Sequence, residues 1–288
     1  MESDSFLNKL SLAEERNVKL YNLLIENSSF NSVPSSSYLL SIVPKKFGLN
    51  LDDEDFVTCI RLRLNLDPGI ILSNSLCLCG KPASFDHVVC CAHFNWCRTV
   101  IHNNVINVLD SACKSLGVVS NTEPVLNQLV HNNSQWKSKS RGDLHIEWSD
   151  STELIIDATT VCFKSESNLK KSYTNAIDVL KVAEQLKVKK YSDSIKLLNQ
   201  SRQKKLEFIP LAISLNGRFG SIAEDFFSKF ELFVWSQGKR FYSSHLLKVR
   251  CVFALYKKMG TFIRKIALKL TQGSNDDCSL KEHDFSTF

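Results

Sequence analysis

Two kinds of chemistry are suggested by the residue types and their spacing. Five of the ten cysteines fall between Cys77 and Cys97, interleaved with histidines. Cys77-Leu78-Cys79-Gly80 is followed by His87 and then by Cys90-Cys91. Two thiolates, an imidazole and a third thiolate complete the tetrahedral shell of a zinc ion. Gly80 lets the chain turn tightly enough for both early sulfurs to face one centre. Cys77, Cys79 and His87 are the first three candidate ligands. Cys91, four residues after His87, is the preferred fourth, with Cys90 competing and His93 and Cys97 as spares. The early pair is spaced Cys-x-Cys, where Cys-x-x-Cys is commoner. Such a site is closed and structural; free buried thiols are the alternative.

The second pattern is acidic. Arg141-Gly142-Asp143-Leu144 precedes a strand-like run, and Asp157 sits inside Leu154-Ile155-Ile156-Asp157-Ala158-Thr159. An ionised aspartate among β-branched residues is costly unless it is paired. A hairpin joining the two runs brings Asp143 and Asp157 together, and two adjacent carboxylates repel unless a divalent cation neutralises them. Mg²⁺ takes hard oxygen ligands and keeps waters, one of which can attack a phosphodiester. A lysine is then wanted to balance phosphate charge. Two residues beyond the second acid stands Thr159, but Glu184, Lys187 and Tyr191 share one face of a following helix, with Lys190 beside them. Glu123, in Thr122-Glu123-Pro124, is a possible third acid. The plainer readings are a turn residue at Asp143, a core carboxylate bonded to backbone amides at Asp157, and solvated lysines at 187 and 190.

The elements that must hold these residues follow from periodicity. Residues 1–30 read as helical, with a Ser/Asn/Pro-rich link at 28–37. An acidic first turn opens a helix over 53–64, and Asp67-Pro68-Gly69 makes a turn. A helix is predicted over 95–116, stopped by Gly117. Strands follow over 144–148 and 154–163, joined by Ser149-Asp150-Ser151. A helix over 169–191, a buried strand over 208–215, a turn over 217–220 and a helix over 222–235 complete the core. From Lys239 to Lys269 there are nine Lys/Arg and no Asp or Glu, with apolar residues at helical spacing. That is a basic amphipathic helix or helix pair. The residues from 272 onward read as a disordered tail.

Composition limits the function classes. Of 288 residues, 43% are hydrophobic and 23% charged, so a packed core is expected, and the net charge of +6 permits a polyanionic partner. No run is long and apolar enough to span a membrane. The opening Met1-Glu2-Ser3-Asp4-Ser5 has no signal-peptide pattern, so the expected location is nucleus or cytoplasm, not secretion. The Arg141-Gly142-Asp143 tripeptide is a chance match to an integrin-binding sequence. No Tyr-x-Asp-Asp polymerase pattern occurs.

Taken in order, the motifs resemble the C-terminal region of non-LTR (LINE-type) retrotransposon polyproteins, where a Cys/His knuckle precedes a restriction-like endonuclease of PD-(D/E)xK type. The matching residues are Arg61-Leu62-Arg63-Leu64, the Cys77-Cys79-His87-Cys91 knuckle, Arg98 with His102-Asn103, Glu123-Pro124, Arg141-Gly142-Asp143, Asp157-Ala158-Thr159-Thr160-Val161, and Lys187-Val188-Lys189-Lys190-Tyr191. Phe208-Ile209-Pro210 and Gly217-Arg218-Phe219-Gly220 extend the similarity, which covers roughly residues 50–235. Gly142 stands where the family has proline.

The resemblance implies an α/β fold with a restriction-endonuclease-like core, αβββαβ, whose mixed sheet is flanked by helices. The implied organisation is a helical segment over 1–70, a zinc-knuckle loop over 71–97, a nuclease-like domain over 98–236, a basic amphipathic helical segment over 237–271 and a tail over 272–288. It carries Asp143 and Asp157 over as magnesium ligands and Lys187 as the displaced lysine, with structural zinc in the knuckle. Arg98, His102, Lys248, Arg250, Lys257 and Lys258 are the candidate contacts to DNA or RNA. The leading expectation is a metal-dependent DNA endonuclease. A catalytically silent nucleic-acid-binding module is the second, and a protein- or membrane-surface interaction domain the third.

Overall fold

The computed structural model describes residues 52–63, 76–83, 85–126, 141–162, 168, 176–215, 217–239 and 242–271. The segments expected over 1–30, 28–37, 67–69 and 272–288 lie outside the described residues. So do the first seven residues of the helix expected over 169–191.

Helix α1 (Asp53–Arg63) is followed by the short α2 (Phe85–Val88), a 3-10 turn (Ala92–Phe94) and α3 (Asn95–Ser115). Three strands come next: β1 (Ser120–Thr122), β2 (Leu144–Glu147) and β3 (Thr152–Val161). Then follow α4 (Ala176–Ser201), β4 (Lys205–Ser214), α5 (Ser221–Ser236) and α6 (Ser244–Thr271). The strands form one sheet in the order β1-β2-β3-β4. β1, β2 and β3 run antiparallel, whereas β3 and β4 are parallel. Parallel neighbours need a long crossover, and α4 supplies it. The expected mixed sheet flanked by helices is therefore present.

The two faces of the sheet are covered by different helices. Leu154, Ile156 and Ala158 on β3 join one core with α3, α5 and α6. Ile155, one residue out of phase, packs instead with Leu126, Tyr191, Leu198 and Leu206. Side chains alternate along a strand, so Asp157 shares the face of Ile155 and looks towards α4. The register sets Leu144 opposite Ile156, and Asp157 beside Pro210 of β4. β4 is an edge strand among the described elements, the place where a proline without an N–H is tolerated.

Several boundaries differ from the sequence reading. β3 begins at Thr152 because the hairpin is tight: Trp148 and Ser149 both donate their N–H to Thr152 O, at 3.1 and 2.9 Å. The short β1 has no periodicity of its own and is defined by pairing with β2. α4 continues ten residues beyond Tyr191, carrying Leu198 into the core. The basic C-terminal segment is one helix, not two. Gly260 does not end it: a Cβ there would lie 2.6 Å from Asp55 Oδ1, so the glycine allows α1 to approach closely. Arg264 secures that contact through Asp52 at 3.2 Å, Glu54 at 2.9 Å and Asp55 at 2.6 Å.

Candidate functional site

The cysteine–histidine group is built from two turns. Leu76 and Pro82 pair as an antiparallel bridge. Inside it Cys77 N–H donates to Lys81 O at 2.8 Å and Gly80 N–H to Cys77 O at 2.7 Å. Gly80 has φ +80°, a conformation that suits glycine and few other residues. This knuckle presents Cys77 and Cys79. The chain through α2 presents His87 and Cys91, with Cys91 N–H donating to Val88 O at 3.3 Å.

Cys77 Sγ lies 3.6 Å from Cys91 Sγ, Cys79 Sγ lies 3.0 Å from His87 Nε2, and all four donor atoms lie within 4.8 Å of one another. Sulfurs at Zn–S bonds of about 2.3 Å in a tetrahedron stand about 3.8 Å apart, so the donor set and its spacing fit one zinc ion. The group contains Cys91, not Cys90, which resolves the choice left open by spacing. His93 and Cys97 stay outside it. Burial pushes the Cys77 thiol up to about 11, whereas the Lys81 backbone amide draws Cys79 down.

The acidic residues occupy the other site. Asp143 immediately precedes β2, and its N–H donates to Ile156 O at 2.9 Å, next to Asp157. Its Oδ2 accepts from Ala158 N–H at 2.6 Å and lies 2.8 Å from His102 Nε2 of α3. Asp157 is buried, 4% exposed, and its Oδ1 accepts from the Tyr191 hydroxyl at 2.8 Å. Lys187, one turn earlier on α4, forms an ion pair with Asp157 Oδ2. Lys190 donates to the Tyr191 oxygen at 3.1 Å and stands 4.6 Å from the ring centroid. The same hydroxyl oxygen lies 2.5 Å from Arg141 O, so its single proton is shared between two acceptors, and the ring stacks on Phe208 at 4.5 Å.

Helices from opposite faces of the sheet thus converge at one end of β2–β3. α3 brings His102 to Asp143, and α4 brings Lys187 and Tyr191 to Asp157. Burial disfavours the protonated form of His102, but the Asp143 hydrogen bond and charge outweigh it, with Asp157 adding, so its pKa is raised. Burial first, then the Asp157 carboxylate, raises that of Tyr191.

Gly142 occupies a position that proline would not fit. Its N–H donates to Pro124 O at 3.1 Å, a bond proline cannot form, and a Cβ would lie 2.6 Å from Ile155 Cγ2. Next to it Glu123 holds φ 50°, and its N–H donates to Asp143 O at 2.9 Å. The Glu123 carboxylate itself is exposed, 3.9 Å from Arg141, and makes no contact with the acid pair among the described interactions.

The candidate nucleic-acid residues separate. Arg98 is half-buried and bonds Asn95 on its own helix. Lys248 is 9% exposed, ion-paired with Glu224 and 5.8 Å from the Phe227 ring centroid. Lys258 is half-buried, while Arg250 and Lys257 are exposed.

Sequence reasoning missed a second buried ionic group. Glu153 Oε2 lies 2.8 Å from His145 Nε2 and accepts from Arg202, all three side chains being nearly buried. The signal was partial: Glu153 stands two residues before Ile155 in an apolar run, whereas His145 has Asp143 and Glu147 at that spacing. Glu184, read as a member of the Lys187 face, has a structural task. Fully buried, it accepts from Ile222 N–H at 2.9 Å, Ala223 N–H at 3.2 Å and the Ser221 hydroxyl at 3.2 Å, closing the first turn of α5. A Cβ at Gly220 would lie 2.2 Å from Glu184 Oε1, so any side chain there would displace the carboxylate that closes this turn.

Among the described residues no helix is long and apolar enough to cross a membrane. Compared with known proteins, the chain matches no protein-family model and no curated sequence.

Proposed function

We propose that the chain is a metal-dependent nuclease, retroelement-derived as the motif order suggests, that hydrolyses phosphodiester bonds in DNA. The observation that carries this reading is the meeting of Asp143 and buried Asp157 with Lys187, Tyr191 and His102 at one sheet end. Asp143 and Asp157 would hold the divalent ion, which when bound supplies a water of lowered pKa and polarises the phosphate. Tyr191 fixes the orientation of Asp157, and Ala158 N–H fixes that of Asp143. His102 closes the other side of Asp143. Lys187 replaces the lysine absent at Thr159: reaching in from α4, its ammonium counters charge on the phosphate. The Cys77, Cys79, His87 and Cys91 group would hold a structural zinc that fixes the knuckle against α3.

The experiment is supercoiled-plasmid nicking in Mg²⁺ by wild type and by Asp157→Ala. Nicking by wild type and its loss in the variant are expected. Equal nicking by both proteins removes the reading.

One observation favours a second reading, a nucleic-acid-binding module without catalysis. Lys187 is ion-paired directly with Asp157, so the acids are partly neutralised by the protein itself. That reading expects salt-sensitive binding with no nicking in any divalent ion.

A further inference from the structure

The acid pair does not explain a second surface, between α3 and α6. A groove of about 520 Å³ runs there. Its α3 wall carries Asn104, Asn107, Ser111 and Ser115, and its α6 wall carries Arg250 and Lys257. Phe253 of α6 also lines it, and no carboxylate does. Among the described residues neither Arg250 nor Lys257 forms an ion pair, in contrast to Lys248 and Arg264 on the same helix.

We propose that this groove binds the phosphate backbone of a nucleic acid through Arg250 and Lys257. The inference rests on the nuclease reading and names the path its substrate takes beyond the acids. Arg250 and Lys257 are seven residues apart, so they stand on one face of α6 about 10 Å apart along its axis. That spacing suits a polymer with regularly repeated charge. The facing amides and hydroxyls are groups that bond phosphate oxygens without reading sequence. Asn104 lies roughly 200° round α3 from His102, so the groove and the acid pair flank α3 on different sides. A long nucleic acid can engage both at once, whereas a short acidic peptide in the groove would reach nothing else.

The groove also divides the basic helix into two sets. Lys248 and Arg264 are held by Glu224 and by the α1 acids. Arg250 and Lys257 remain for a partner.

The test is fluorescence-anisotropy binding of a labelled 20-base-pair DNA duplex over a salt series. It compares wild type, Arg250→Ala/Lys257→Ala and Arg250→Lys/Lys257→Arg, with unchanged circular dichroism required of each. Loss of two phosphate contacts is expected to reduce the slope of log K against log salt by about 1.8. The charge-keeping variant should retain the wild-type slope. An unchanged slope in the double alanine variant, or equal affinity of wild type for a poly-glutamate peptide, overturns the proposal. Groove-dependent binding without any plasmid nicking leaves the groove standing and removes only the nuclease reading.

Discussion

At the scale of single residues, burial decides which charged groups are structural. Glu153 illustrates the balance. Burial pushes its pKa up, but the His145 hydrogen bond and the Arg202 guanidinium outweigh it, and the net shift is below the ordinary 4.5. A carboxylate with a depressed folded-state pKa adds stability above its unfolded value and loses it as pH falls through the folded value. Unfolding in urea at stepped pH should therefore show stability declining below about pH 4.5. Glu153→Gln should flatten that acid limb. At neutral pH the same substitution should cost about 3 kcal/mol, because Arg202 is left without its counter-charge. An acid limb that is identical in wild type and variant contradicts this assignment. Asp157 could not be told from Glu153 by the same criterion in the sequence: both are acids at inward positions of one strand. What separates them is the neighbour, a histidine–arginine pair for one and a lysine–tyrosine pair near a second acid for the other.

At the scale of elements, the legible parts were those with strong period or punctuation. The Ser149-Asp150-Ser151 turn, the Gly117 stop and the helices over 95–116 and 222–235 rest on local signals, and each is where the structure has it. β1 and the last turns of α4 were not legible, because pairing and packing with distant residues define them. The knuckle is intermediate. Cys77, Cys79 and His87 could be named from spacing, but the choice between Cys90 and Cys91 depends on how the chain leaves α2. A consequence is measurable. Purified protein should carry one zinc per chain by elemental analysis, kept in Cys90→Ser and lost in Cys91→Ser. Loss should be accompanied by a lower melting temperature, because the donors otherwise have little to hold them together. Zinc retained in Cys91→Ser, or lost equally in both variants, contradicts the donor set.

At the scale of the whole molecule, the acid pair depends on elements from both faces of the sheet. The β2–β3 hairpin sets Asp143 against Asp157, α3 supplies His102, and the α4 crossover supplies Lys187 and Tyr191. α4 is in turn tied to α5 through Glu184, so the Lys187–Asp157 ion pair is braced by a helix that contributes no residue to it. The basic helix α6, which reads as one surface in sequence, is divided by folding into core-facing and groove-lining cations. The central claim is that Asp143 and Asp157 hold one divalent ion between them. Mn²⁺ binding followed by electron paramagnetic resonance tests it without requiring turnover, using wild type, Asp143→Asn, Asp157→Asn and Cys91→Ser. The account predicts a bound ion in wild type and in Cys91→Ser that is lost in each aspartate variant. Mn²⁺ binding unaltered by Asp157→Asn, or absent from wild type, contradicts it.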